Sequence, residues 1–217
     1  MTHEPLRRSS TVDQLAAALR ERILAGDLEP GRRLVERELV EAYEVARHTL
    51  RAALRRLEVE GLVRVEPNRG ARVASLSGED LAELFAVRLA LEREAAHLAL
   101  ERGGGRLPPA VHEAARRLDR LARRPDTPWN ELARAHRDVH EALVAAAHAP
   151  RIERAYAALS TELDLFLSAL RPVWTRDSLG PQHLELLRDL EAVGPDALRE
   201  HMQSALRALH AGDDGAA

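Results

Sequence analysis

The 217-residue chain has no cysteine, which excludes a disulfide framework, a thiolate metal site and a cysteine nucleophile. Any metal it binds must be held by His, Asp or Glu. Lysine is absent too, so all 32 basic residues are arginine. That bias runs through the acidic and the basic parts of the chain alike and is not by itself a mark of nucleic-acid binding. Aromatic residues make up only 3% of the chain. Nowhere is there the run of about 18 apolar residues that a membrane-spanning helix needs. The opening residues Met-Thr-His-Glu-Pro-Leu-Arg-Arg have no apolar segment behind them, so a cytoplasmic protein without membrane attachment is expected.

What remains is rich in Ala, Leu, Arg and Glu, with 45% hydrophobic and 31% charged residues, a profile that favours helices in an ordinary globular protein. The length suits two modest domains. A net charge of −3 argues against a chain that coats nucleic acid along its whole length, but the charge is unevenly spread. Residues 1–76 hold 14 Arg against 12 acids, and residues 77–217 hold 18 Arg against 23 acids. Within residues 45–72 the excess sharpens to seven Arg against three Glu.

In the first part, Thr11 and Gln14 stand in capping-box spacing, and Val12, Leu15, Ala16, Leu19 and Ile23 then recur at helical intervals up to Gly26. After the Pro30-Gly31 turn, a short segment from Leu34 can turn Leu39, Val40 and Ala42 inward. A third helix is expected from about Ala46 to Glu60, with Leu50, Ala53, Leu54 and Leu57 on one face, Arg47, His48, Arg51 and Arg55 on the other, and Gly61 as its stop. The period then switches to two: residues 62–65 and 71–74 read as strands joined by a turn at Glu66-Pro67-Asn68-Arg69-Gly70. Three helices followed by a two-stranded wing is a winged helix-turn-helix. Arg is the side chain best suited to bidentate guanine contact and also binds phosphate.

The run from Gly26-Asp27-Leu28-Glu29-Pro30-Gly31 through Arg37-Glu38-Leu39, Val45-Ala46-Arg47-His48-Thr49-Leu50-Arg51, Glu60-Gly61-Leu62-Val63 and Arg69-Gly70 resembles the DNA-binding domain of the GntR family. The resemblance implies that Arg37, Arg47, Arg51 and the wing tip Arg69-Gly70 contact DNA, with His48 and Thr49 between them on the recognition helix. Family members usually carry Ser, Thr, Pro and Glu where this chain has Ala46, His48, Thr49 and Ala52. At Ala46 that removes a helix cap and a phosphate contact.

From residue 77 onward, Ser77-Gly78-Glu79-Asp80 reads as a helix cap, and Leu81, Leu84, Phe85, Leu91, Ala95 and Leu98 continue at helical spacing. Further helices are expected at about 109–123, 128–148, 151–170, 181–193 and 196–211, punctuated by proline and glycine. The expected architecture is therefore mainly α: a winged helix-turn-helix with a small β-hairpin wing over residues 1–76, then an antiparallel all-helical bundle of about six helices over 77–217. His136 and His140 lie four apart on one helix face, a spacing that lets two imidazoles share a metal. His183 and His201 lie in two further helices among Leu and Ala, yet spacing alone leaves all four open to being ordinary surface or core histidines. Arg88, on an otherwise apolar helix face, either pairs with Glu92 one turn away or binds an effector carboxylate.

Val87-Arg88-Leu89-Ala90-Leu91-Glu92 with Ala95-Ala96, then His136-Arg137-Asp138-Val139-His140, Gln182-His183 and Arg199-Glu200-His201-Met202 resemble the FCD ligand-binding domain of the FadR branch of that family. The resemblance implies a divalent metal held by His140, His183 and His201, with His136 where an Asp is usual. Four neutral imidazoles would leave the full +2 charge of the ion uncompensated. They would favour a transition metal, with Zn expected and Ni or Fe as alternatives, and a small organic acid as effector. Asp138 faces away on its helix and is read as a non-ligand. The expected function is thus an allosteric transcription regulator, a homodimer on palindromic double-stranded operator DNA, and not an enzyme. Two alternatives stay open: the same head with a metal-free acyl-type pocket, and a metal-dependent hydrolase.

Overall fold

The computed structural model describes residues 10–66, 70–75, 77–170 and 176–213. The chain divides into two compact units, 1–76 and 77–217. The wing-tip residue Arg69 and the connecting Leu76 fall outside the described residues.

The first unit contains helices α1 (Thr11–Leu24), α2 (Glu36–Tyr43) and α3 (Arg47–Val59) and strands β1 (Arg33–Leu34), β2 (Val63–Glu66) and β3 (Gly70–Val73). The cap of α1 lies one residue earlier than its sequence spacing suggests. Ser10 Oγ accepts from Asp13 N, and the Asp13 carboxylate accepts from Ser10 N. Asp13 fills the reciprocal role that Glu or Gln usually takes. Leu15, Ala16, Leu19 and Ile23 of α1 are buried, as are Leu50, Ala53, Leu54 and Leu57 of α3. Of the residues expected to face inward in α2, only Leu39 is buried; Ala42 is exposed and Val40 half-buried. α2 ends on Glu44 in the left-handed region (φ 51°), and Ala46 opens α3 without a side-chain cap hydrogen bond.

Gly61, with φ 77°, turns the chain out of α3 in a conformation that costs a residue with a Cβ about 1 kcal/mol or more. The wing is one strand larger than the expected hairpin: a three-stranded antiparallel sheet in the order β1-β3-β2. Leu34 pairs with Ala71 on one side, and Val63 pairs with Val73 on the other.

Among the described residues the second unit contains seven helices: α4 (Gly78–Arg102), α5 (Pro109–Ala122), α6 (Trp129–Ala146), α7 (Pro150–Ala157), α8 (Ser160–Leu170), α9 (Arg176–Val193) and α10 (Ala197–Asp213). Ser77 caps α4 in a full capping box with Asp80. Pro109 and Pro150 sit in the first turns of α5 and α7, where a missing N–H costs nothing. The expected helix 151–170 is two helices, broken at Ala158-Leu159. Pro181 does not open α9 but lies inside it. Inward-facing Val111, Ala115, Leu118, Leu132, Val139, Leu143, Leu187 and Leu190 form the buried core that α5, α6 and α9 share.

α5 and α9 approach closely at Gly180, where a Cβ would stand 2.6 Å from Asp119 Cα. Because the neighbour is backbone, it cannot swing aside. Gly180→Ala is therefore expected to cost about 1–3 kcal/mol and to lower the melting temperature by roughly 5 °C at about 2–4 °C per kcal/mol. A thermal melt followed by circular dichroism checks this, and an unchanged midpoint would contradict the close packing.

Candidate metal centre and nucleic-acid interface

α6 presents His136 and His140 on one face, one helical turn apart. α9 presents His183 and α10 presents His201. The structure brings these four side chains together. Ring centroids are 4.8 Å apart for His136–His140, 4.6 Å for His136–His183, 5.2 Å for His140–His183 and 4.7 Å for His183–His201. His136, His140 and His183 are buried, and each offers a ring nitrogen within 4.8 Å of the others. His201 keeps an edge in a groove of about 400 Å³ between α9 and α10, where Glu185, Asp189, Glu200 and Arg207 also lie.

Hydrogen bonds fix two of the tautomers. His140 Nδ1 lies 3.0 Å from the Glu92 carboxylate and His183 Nδ1 lies 2.7 Å from the Leu179 carbonyl. Neither partner can donate, so both Nδ1 atoms carry the proton. The two Nε2 atoms then face each other 3.2 Å apart, each with a lone pair. Two acceptors this close repel unless a cation or proton lies between them. Tetrahedral zinc with Zn–N bonds of 2.0–2.1 Å separates its ligand nitrogens by about 3.4 Å, so the donor set fits a metal of that kind.

Electrostatics supply the required protonation state. Burial is the main cause that holds His136 and His140 well below the usual imidazole range, with the neighbouring histidines and Arg88 adding to it. Burial brings His183 down to about 4, against an opposing contribution from its bond to Leu179. His201 is also well below, by burial and then by His183 and His140. Metal ligation needs neutral imidazoles, and these stay neutral at pH 7.

Arg88 is buried and its Nε donates to Glu92 Oε1 at 2.7 Å. Tyr156, on α7, donates to the same oxygen at 2.7 Å. The histidines were legible in the sequence, but Glu92 as their partner was not, and Tyr156 carried no signal. The hint was that Arg88 and Glu92 both sit on an apolar face with Phe85 and Ala95. Asp138 lies off the cluster, paired with Arg117 at 2.6 Å.

In the first unit, Arg37 of α2 and Arg47, His48, Arg51 and Arg55 of α3 are exposed, with Thr49 half-buried. Arg51 Nε stands 3.1 Å from both oxygens of Glu36. A groove of about 570 Å³ between α3 and the wing is lined by Glu36, Arg51, Arg55, Glu66 and Gly70, among others. No acidic residue occupies the first turn of α3, so its positive N-terminal end is left to other anions.

A winged helix-turn-helix followed by an all-helical unit built around a buried polar cluster is the architecture of a transcription regulator with a separate ligand-binding domain. Residues 11–73 match the bacterial regulatory proteins of the gntR family and residues 83–208 match the FCD domain. The uncharacterized HTH-type transcriptional regulator BphR of Paraburkholderia xenovorans (strain LB400) is 31% identical over 207 residues, 91% of this chain and 84% of that protein. A solved GntR regulator from Rhodococcus sp. RHA1 covers 95% of this chain and 98% of its own, with a TM-score of 0.68 at 25% identity. E. coli McbR/YncC, at 22% identity and a TM-score of 0.69, covers 94% of this chain and 99% of its own and shares the fold.

The chain belongs to the GntR family of bacterial transcription regulators, in the FadR-like branch that carries an FCD ligand-binding domain. Its relatives are regulators, not enzymes. Among the described residues no helix is long and apolar enough to cross a membrane.

Proposed function

We propose that the FCD domain of this regulator holds one divalent transition metal, most suitably Zn with Ni or Fe as alternatives, through His136, His140, His183 and His201, and that a small organic acid binding there modulates operator affinity. The observation that carries this reading is the pair of Nε2 lone pairs of His140 and His183, aimed at each other 3.2 Å apart with both Nδ1 protons engaged elsewhere. The ion would act as a Lewis acid toward a carboxylate. The protein's share is to hold four imidazoles neutral and aligned and to keep water out. Arg88 would meet such a carboxylate only by exchanging Glu92 for it.

At the other end, Arg37, Arg47, His48, Thr49, Arg51 and the wing tip Arg69-Gly70 would contact operator DNA, as a homodimer whose two heads read a palindrome.

The test is elemental analysis of untagged full-length protein by plasma mass spectrometry, with the His136→Ala/His140→Ala variant alongside. About one transition metal per chain, lost in the variant, is expected. No metal in the wild type, even after soaking, would remove the metal reading and favour a metal-free acyl-type pocket under the same DNA-binding head.

A further inference from the structure

α4 supplies none of the four histidines, yet its Glu92 hydrogen-bonds one of them, His140. Glu92 is fully buried and its carboxylate gathers donors from three helices: Arg88 Nε of α4 and Tyr156 OH of α7 on Oε1, each at 2.7 Å, and His140 Nδ1 of α6 on Oε2 at 3.0 Å. A buried charge pair is a poor way to stabilise a helix interface, because apolar residues of similar volume generally do as well or better. Its place against the histidine cluster points to a role that packing does not supply.

We propose that Glu92 is a positioning residue for the metal: it fixes His140 in the Nδ1–H tautomer, and through that one bond it couples the ion to α4, the helix that begins at Gly78 directly after the DNA-binding unit. This rests on the metal reading above. The chemistry runs in both directions. An anionic acceptor on Nδ1–H makes Nε2 a better donor to the ion, and an ion on Nε2 makes Nδ1–H a stronger donor to Glu92. Arg88 and Tyr156 hold the carboxylate in place, and Arg88 balances its charge, so the trio stays put in the absence of the ion. Binding the ion therefore tightens a contact on α4 even though α4 touches no metal. Such a contact is what an effector-responsive coupling between sites requires, namely a differential interaction in the two states.

The test uses the full chain and Zn²⁺ as probe, with affinity read by competition against a chromophoric chelator and α4 followed by hydrogen exchange. Glu92→Gln preserves shape but removes the charge. Arg88→Met/Glu92→Gln does the same without stranding Arg88, and so covers the case in which the single variant fails to fold. Both are expected to bind Zn²⁺ about 10- to 100-fold more weakly. Zn²⁺-induced protection in residues 78–102 should be lost while protection in residues 129–146, which carry His136 and His140, persists at saturating Zn²⁺. A merely structural role would lower the metal-free melting temperature and leave that split untouched. Wild-type protein that binds no Zn²⁺ overturns the metal reading and this inference together. Wild-type binding with unchanged affinity and unchanged 78–102 protection in the variants overturns this inference alone.

Discussion

Zn²⁺ is expected to raise the melting temperature of the protein by roughly 10 °C at pH 7 and to move its acid-unfolding midpoint down by about one pH unit. The first figure follows from linkage. An ion held at about a thousand times its dissociation constant adds about 4 kcal/mol to the folded state, and each kcal/mol is worth about 2–4 °C for a chain of this size. The second follows from the three buried imidazoles. His136, His140 and His183 all titrate below the usual value of 6.5, His183 at about 4. Below pH 6.5 the unfolded chain therefore takes up protons that the folded chain refuses. The unfolded state binds more protons, so stability falls as pH falls, and the loss continues until the folded imidazoles themselves protonate. At most about 1.4 kcal/mol per pH unit is lost for each group, or about 5–6 for these three together with His201, which is lowered in the same way. Of a total stability of about 5–15 kcal/mol, a large part is then lost as the pH falls below 6.5. The bound ion offsets about one pH unit of that slope. Acid titrations and thermal melts by circular dichroism, in chelator and in Zn²⁺, provide the check. Coincident curves would remove the metal site, and a metal-free protein equally stable at pH 7 and pH 5 would show that these imidazoles are not held neutral.

The parts of the fold that were legible in the sequence are those with a local cause. The core positions of α1 and α3 follow from a 3.6-residue period, the cap of α4 from Ser77 and Asp80, and the end of α3 from Gly61. β1 was not legible because two residues, Arg33-Leu34, cannot display an alternation, and their pairing with β3 is a long-range event. The break between α7 and α8 was not legible either, since Ala158-Leu159 contains neither Gly nor Pro and the tertiary packing alone decides it. Pro181 misled in the opposite sense: a proline normally opens a helix, but five residues before it are already helical, close enough to the N-terminus that only one ladder hydrogen bond is lost. At the cluster, spacing could place His136 and His140 on one face, but the convergence of α6, α9 and α10 depends on contacts across the domain. Glu92 was hidden for a different reason. An Arg-x-x-x-Glu pair on a helix has a sufficient local explanation, and nothing local reports that His140 and Tyr156 arrive at the same carboxylate.

Arg51→Ala is expected to weaken binding to a cognate operator by about 1–3 kcal/mol, roughly 5- to 150-fold, while binding to scrambled DNA changes much less. In the free protein Arg51 is engaged by Glu36, and both side chains are substantially exposed, at 60% and 31%. An exposed pair of this kind is worth about 0–1 kcal/mol. A bidentate contact to a guanine edge is worth about 1–3 kcal/mol, so DNA wins the competition, but it does so at a discount that Glu36 sets. Two consequences separate the ways Arg51 can be used. If it reads a base, its loss lowers the ratio of operator to scrambled affinity and leaves the salt dependence nearly unchanged. If it binds a phosphate, both affinities fall together and the slope of log K against log salt decreases by about one. Glu36→Gln is expected to shift operator affinity the other way by less than about 1 kcal/mol, since the guanidinium is no longer held back. Operator fragments selected from random duplexes with the wild-type protein, then titrated with each variant at two salt concentrations, distinguish these results. An operator-to-scrambled ratio identical in wild type and Arg51→Ala, with identical salt slopes, would take Arg51 out of the interface and with it the assignment of α3 as the helix that enters the major groove.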